Sequence, residues 1–174
     1  GTMAMDKYYD MVRIGIIMYG LYPSNEIDKC IKLTPAMELI SHISMVKQIS
    51  PGTCVSYGRT YVADKPVKEA TVPVGYADGY PRSLSNKGEV LINGRRCRVI
   101  GRVCMDMLMA DVTDIPGVTT ADEVVLLGAQ GAQRITPDEL AERAETIPYE
   151  IMLGFSPRVR REYLDEGEEG CIER

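Results

Sequence analysis

A chain of 174 residues is the length of one domain with room for a short attachment, and it is too short for a self-contained large barrel enzyme. Apolar residues at 45 % and charged residues at 26 % describe a globular domain with a real core and exclude a mostly disordered chain. Lys and Arg number 20 against 25 Asp and Glu, a net charge of −5 with a sequence pI near 5.0, so no general positive field draws nucleic acid.

The opening Gly1-Thr2-Met3-Ala4 has the look of a tag remnant, which places the natural start at Met5 or Asp6. Residues 11–20, MVRIGIIMYG, are nearly all apolar around one arginine and predict a strand buried on both faces. The turn-rich LYPSNEIDKC follows, with a boundary expected between residues 30 and 35. Met37, Leu39, Ile43, Met45 and Ile49 then fall on odd positions, the period of a long half-buried strand that Pro51-Gly52 stops. Short strands are expected over 60–63, 69–75, 89–92, 96–103, 108–112 and 123–127. Asn93-Gly94 predicts a tight hairpin, because both residues tolerate the positive φ of a primed turn. Thr136-Pro137-Asp138-Glu139 is a capping box that starts a helix with Leu140, Ala141 and Ala144 as its buried stripe. A further turn or two is expected over 148–153, then a strand-like RVRREYL and a solvated acidic end over 165–169. The class predicted is mainly β: a small antiparallel barrel or sandwich with one or two short helices.

No apolar run approaches the ~18 residues needed to cross a bilayer, and no charged-then-apolar leader opens the chain. The expectation is a soluble, cytoplasmic protein without membrane contact. Five cysteines (Cys30, Cys54, Cys97, Cys104, Cys171) are spread without a C-x-x-C pair and read as buried or idle thiols. A single histidine, His42, argues against a His-based metal site or an internal Ser-His-Asp triad and fits a structural or surface position on a strand.

Tyrosine is the compositional oddity, with ten Tyr against one Phe and no Trp. Tyr57 in VSYGRTY, and Tyr76 and Tyr80 in VGYADGYPR, lie beside glycines, which let a backbone turn tightly and present a ring at the mouth of a site. The plainer alternative is that these rings cap the barrel ends with their hydroxyls in water. A phenol acts as a base only where positive charge or donors lower its pKa from about 10; Arg59 is near in sequence. Cys104-Met105-Asp106 predicts a tight bend at a strand end. Its aspartate either orients a substrate amine or a partner arginine, or satisfies its own backbone as an Asx turn. Arg13, a charge inside an apolar strand, requires a defined partner, either a carboxylate or an acceptor on a ligand, and Gly15 would free backbone N–H groups to approach a phosphate if the strand ends there.

Taken together, VRIGIIMYG, VSYGRTY, VGYADGYPR, GRVCMDMLMADV and PYEIM, in order over residues 12–152, resemble alanine racemase, a pyridoxal-phosphate enzyme family. The resemblance implies that residues 35–174 are the family's mostly β C-terminal domain. It also implies that residues 6–34 are the last strand and tail of its (β/α)8 barrel, the cofactor-binding lysine and the other barrel strands preceding this chain. It implies an amino-acid racemase that interconverts L- and D-alanine for peptidoglycan, in a homodimer whose active sites are shared between subunits. Tyr57 would be the base for the L-amino acid and the barrel lysine the base for the D-amino acid, on opposite faces. Arg13 would face the pyridine nitrogen, which a permanently charged guanidinium leaves unprotonated. Gly15 and Ile16 would give backbone N–H groups, and Tyr149 a hydroxyl, to the cofactor phosphate. Met105 would give its backbone N–H to the substrate carboxylate, with Tyr76 and Asp106 as pocket wall.

The family's R-V-P-R becomes Arg158-Val159-Arg160-Arg161 here, and residues 29–35 have no clear match. Membrane-linked racemases of the vancomycin-resistance type, acting on serine as well as alanine, share the same motifs and are the alternative. A non-catalytic β-module for dimerisation or binding is the alternative of a different class. Without the lysine, the chain alone is expected to be inactive, and its unpaired barrel strand is expected to drive association.

Overall fold

The computed structural model describes residues 10, 11, 13–24 and 26–164. The proposed tag remnant, the acidic end and Cys171 lie outside them. The described part is mainly β. Its strands are β1 (Leu39–His42), β2 (Met45–Ile49), β3 (Cys54–Val55), β4 (Tyr61–Val62), β5 (Val67–Val72), β6 (Glu89–Ile92), β7 (Arg95–Arg98), β8 (Leu108–Asp111), β9 (Glu123–Gln130) and β10 (Gln133–Ile135). Two helices follow, α1 (Pro137–Ala144) and α2 (Pro148–Gly154).

All pairings are antiparallel. One sheet runs β1-β9-β6-β7 with β10 added to β9, a second runs β2-β5-β8, and β3 pairs with β4. The sheets meet at two corners. At one, β1 passes directly into β2; at the other, Val99 bridges Ala110 and the Ile100 N–H donates to the Met109 carbonyl. The continuous strand expected over 37–49 is therefore two strands in two sheets. The chain bends at Ile43-Ser44, where Ile43 N–H donates to the Asp122 carbonyl and Ser44 N–H to the Thr71 carbonyl. The bend breaks the period of two, so Ile43 and Ile49 are buried while Met45 is exposed.

Val90, Leu91 and Ile92 of β6 and Val124 to Leu127 of β9 are buried almost completely, because one side of this sheet faces the other sheet and the opposite side carries the helices. Leu140, Ala141, Ile151 and Phe155 supply the helical side of that core. A smaller core of Ile49, Val55, Ala63, Val67, Ile100 and Met109 lies under the β3–β4 ribbon. The hairpin at Asn93-Gly94 forms as expected: Ile92 pairs with Arg95 across two residues with φ 50° and 70°. Thr136 caps α1 by accepting from the Glu139 N–H at 3.2 Å. The Glu139 carboxylate instead accepts from Arg96, so only half of the predicted capping box closes.

Two expected strands are not strands. Residues 13–15 are exposed and a 3₁₀ turn, Ile16–Tyr19, follows, since a strand needs neighbours to pair with. Residues 158–164 run without strand pairing among the described residues, ending in turn and coil. His42 ends β1 at the surface opposite Glu123, and Cys30 and Cys54 are exposed, Cys97 buried and Cys104 half-buried, all unpaired. Among the described residues no group of His, Cys, Asp and Glu could hold a metal ion, and no helix is long and apolar enough to cross a membrane.

Candidate active site

Three loops converge at one end of the β-domain. The first carries Tyr57 between β3 and β4. Ser56 has φ 64° and ψ −177°, Gly58 φ 71° and Arg59 φ 50°, so the chain reverses sharply around the tyrosine. The ring is pushed outward and is 74 % exposed. The second loop, residues 75–80, is wound by Asp78 N–H and Tyr80 N–H both donating to the Gly75 carbonyl, and Gly75 N–H donates to Asp78 Oδ2 at 2.9 Å. The third is the bend at Cys104-Met105-Asp106, closed by Cys104 N–H donating to the Met107 carbonyl at 2.9 Å.

Close backbone contacts hold these loops together. Tyr76 N–H donates to the Cys104 carbonyl and Ala77 N–H to the Met105 carbonyl, at 3.0 and 2.9 Å. A Cβ on Gly75 would lie 2.3 Å from both of those carbonyl oxygens, so only glycine permits the approach. Ser56 Oγ donates to the Arg102 carbonyl at 2.6 Å and lies 3.3 Å from Cys104 Sγ. Tyr76 and Met105 are partly exposed beside these contacts, and the Met105 N–H has no acceptor among the described residues.

Asp106 accepts from Arg158 Nη2 at 2.7 Å, and Arg158 Nε lies 3.4 Å from Asp78 Oδ1. Of the roles open to Asp106, the structure shows the partner arginine. Sequence reasoning missed Arg158, whose signal was the arginine opening the RVRR variant of the family motif. Arg160, which stands in the proline position of that motif, points to solvent beside Glu162.

A second group adjoins the first through α2. Pro148 occupies the first helical turn and Tyr149 follows it at the surface. A Cβ built on Gly15 would lie 3.9 Å from the Tyr149 hydroxyl, so the two expected phosphate contacts are neighbours although 134 positions apart in the chain (149 − 15). The N–H groups of Gly15 and Ile16 have no acceptor among the described residues. The far end of α2 packs on the second loop, where a Cβ on Gly79 would meet the Gly154 carbonyl at 2.2 Å and Ser156 N–H donates to the Asp78 carbonyl. A cavity of about 480 Å³ lies in this angle, lined by Tyr76, Arg82, Glu145, Thr146 and Glu150.

Two expectations change. Arg13 does not sit inside a buried strand: it is exposed on a segment without strand pairing, and it meets no carboxylate among the described residues. Tyr80 does not stand at the mouth: it is wholly buried, and its hydroxyl has no hydrogen-bond partner among the described residues. Burial drives its pKa well above the usual phenol value. Tyr57, Tyr76, Met105 and Asp106 are thus brought to one end, and Gly15 and Tyr149 to each other.

The arrangement has known counterparts. An alanine racemase from Halothermothrix orenii is 54 % identical over 90 % of this chain, and alanine racemase 2 of Caldanaerobacter subterraneus is 49 % identical over 92 %. The crystal structure of alanine racemase from E. faecalis superposes with a TM-score of 0.87 at 40 % identity over 93 % of this chain. That of the Bacillus anthracis enzyme with bound L-Ala-P gives 0.84 at 42 % over 90 %. The chain spans 41 % and 42 % of the two curated relatives and 43 % and 40 % of the two solved chains. The family profile "Alanine racemase, C-terminal domain" matches residues 36–163, and on that match, which covers most of its length, the chain belongs to this family.

Proposed function

We propose that this chain is the tyrosine-bearing part of a pyridoxal-phosphate-dependent alanine racemase, in which Tyr57 moves the Cα proton of L-alanine. The observation that carries the reading is the Tyr57 turn, which uses three positive-φ residues to hold a phenol out from the domain instead of packing it inward. A group that exchanges a proton with a substrate carried elsewhere needs that reach. In a homodimer with shared sites, the ring would enter the site of the partner subunit, opposite a lysine of the family's barrel.

The residues present fit the cofactor. Two backbone N–H groups without acceptors, at Gly15 and Ile16, stand beside the Tyr149 hydroxyl, a donor set suited to a phosphate. Arg13, exposed on the same segment, is free to face a pyridine nitrogen. When bound, pyridoxal phosphate supplies the electron sink that makes a Cα–H acidic. The unpaired Met105 N–H would hold the substrate carboxylate, and Tyr76 and the Asp106–Arg158 pair would wall the pocket. We place the enzyme in the cytoplasm, where exposed thiols such as Cys30 and Cys54 stay reduced.

The test is Tyr57→Phe in the full-length, cofactor-loaded protein. Racemisation of alanine is expected to fall by about 10²- to 10⁴-fold, the usual loss of a positioned acid or base. Retention of full turnover would overturn the assignment.

A further inference from the structure

Ser56 stands immediately before Tyr57, at the start of the turn that carries it. Its φ of 64° with ψ of −177° lies in a region of backbone space that is almost exclusive to glycine. A serine held there needs something to hold it, and the structure shows what does. Ser56 Oγ donates to the Arg102 carbonyl at 2.6 Å and touches Cys104 Sγ at 3.3 Å. The opposing chain comes unusually near, since a Cβ on Gly101 would lie 2.8 Å from the Val55 carbonyl and 2.9 Å from Ser56 Cβ. Beyond the tyrosine, a Cβ on Gly58 would meet Arg102 Nε at 3.2 Å.

Residues 101–104 therefore form a bed under residues 55–58, and the serine hydroxyl is the only side-chain hydrogen bond that fastens one to the other among the described residues. The strain is not offset by burial. Val55 is the last buried residue before residues 57–60, all of which are exposed. What the constrained backbone achieves is the fixed outward direction of one exposed phenol.

We propose that Ser56 is a positioning residue for proton transfer: its hydroxyl locks a strained backbone and so fixes the direction of the Tyr57 ring. The inference rests on the reading of Tyr57 as the base for L-alanine. It predicts a loss confined to one face of the substrate, because Ser56 acts only through Tyr57. A general weakening of the fold would affect both faces alike.

The experiment compares Ser56→Ala, Ser56→Gly and Tyr57→Phe in the full-length, cofactor-loaded protein, following exchange of the Cα hydrogen with deuterated solvent from L-alanine and from D-alanine separately. Ser56→Ala is expected to slow exchange from L-alanine by about 10- to 100-fold, the scale of an ångström-sized misplacement, with exchange from D-alanine unchanged. Ser56→Gly, which adopts the backbone without strain, is expected to recover part of the loss. In the 174-residue chain, NMR relaxation of the Tyr57 and Gly58 amides is expected to show new mobility in Ser56→Ala with the rest of the domain unaltered.

Equal losses from both enantiomers, unchanged exchange from L-alanine, or unchanged order at Tyr57 would each overturn the proposal. If Tyr57→Phe abolishes exchange from L-alanine and Ser56→Ala does not, only the role of Ser56 fails. If Tyr57→Phe itself keeps that exchange, the role of Tyr57 fails and that of Ser56 goes with it.

Discussion

Tyr57, Tyr76 and Tyr80 sit in similar glycine-flanked motifs and have three different fates: thrown outward, half-covered at a loop, and sealed in the core. Their sequence settings are too alike to separate them, because a neighbouring glycine permits a turn without fixing its direction. Tyr80 Oη lies where a Cβ on Gly88 would be 2.7 Å away, buried and without a hydrogen-bond partner among the described residues. Tyr80→Phe is therefore expected to leave stability unchanged or raise it by ~1 kcal/mol, read as the denaturant midpoint, since it removes an unsatisfied buried hydroxyl; a loss of ~2 kcal/mol or more would mean the hydroxyl has an acceptor. Cys97 is a second buried group. Burial, then the charges of Asp111 and Glu89, push its thiol up to about 12. A raised pKa means that the fold favours the neutral thiol. Its contribution is complete below the unfolded value near ~8.5 and is lost as pH rises toward 12. At pH 8 a thiol reagent is expected to label exposed Cys30 and Cys54 in the native chain and to reach Cys97 only on unfolding.

At the scale of elements, local signals succeeded where the chemistry was local. The Asn93-Gly94 hairpin and the Pro148 start of α2 each depend on a few adjacent residues and form as read, as does the Thr136 half of the capping box. Signals failed where a distant partner decides. The apolar run around Arg13 reads as a strand but has no neighbour to pair with among the described residues, and the odd-position pattern over 37–49 hides a corner made by Asp122 and Thr71. The fastening of α1 to the sheet was equally illegible. Arg96 on β7 reaches Glu89 on β6 and Glu139 on α1, while Arg143 reaches both carboxylates from the helix. Arg96→Leu is expected to cost ~1–2 kcal/mol in thermal or denaturant unfolding, a modest value because the group is partly open to solvent. Burial pushes the Glu89 carboxyl up, but the hydrogen bond from Arg96 and the charge of Arg143 outweigh it, leaving a net depression. A depressed carboxyl contributes stability above its unfolded value near ~4.3 and loses it as pH falls below, so acid unfolding of the wild type is expected to be steeper than that of Glu89→Gln. Gly79→Ala, with φ 106° and the Gly154 carbonyl 2.2 Å from the new Cβ, is expected to separate α2 from the second loop and cost at least ~2 kcal/mol.

For the whole molecule, the motifs that carry the site lie on separate loops, so their order along the chain pointed to the family, while their assembly belongs to the fold. The sequence placed Tyr57, Tyr76, Met105 and Tyr149 in the family pattern. It could not show that Arg158 ties two of the loops together or that Gly15 stands beside Tyr149, because both depend on α2 packing against the β-domain. The chain spans 41 % of its Halothermothrix orenii relative. On the proposed reading, the chain by itself is expected to show no racemase turnover when pyridoxal phosphate is added, since it spans less than half of that relative. Exposed Tyr57, Met105, Ile147 and Leu153 are expected to promote self-association, measured by light scattering across a concentration series. A clean monomer at high concentration would contradict that.

The central claim is that the phenol of Tyr57 serves one face of the substrate. It is tested most directly by exchange of the alanine Cα hydrogen with deuterated solvent in the full-length, cofactor-loaded Tyr57→Phe protein. The account predicts that D-alanine still exchanges at its usual rate, while exchange from L-alanine, and racemisation with it, falls by about 10²- to 10⁴-fold. Exchange from L-alanine at the rate of the unsubstituted protein would contradict it.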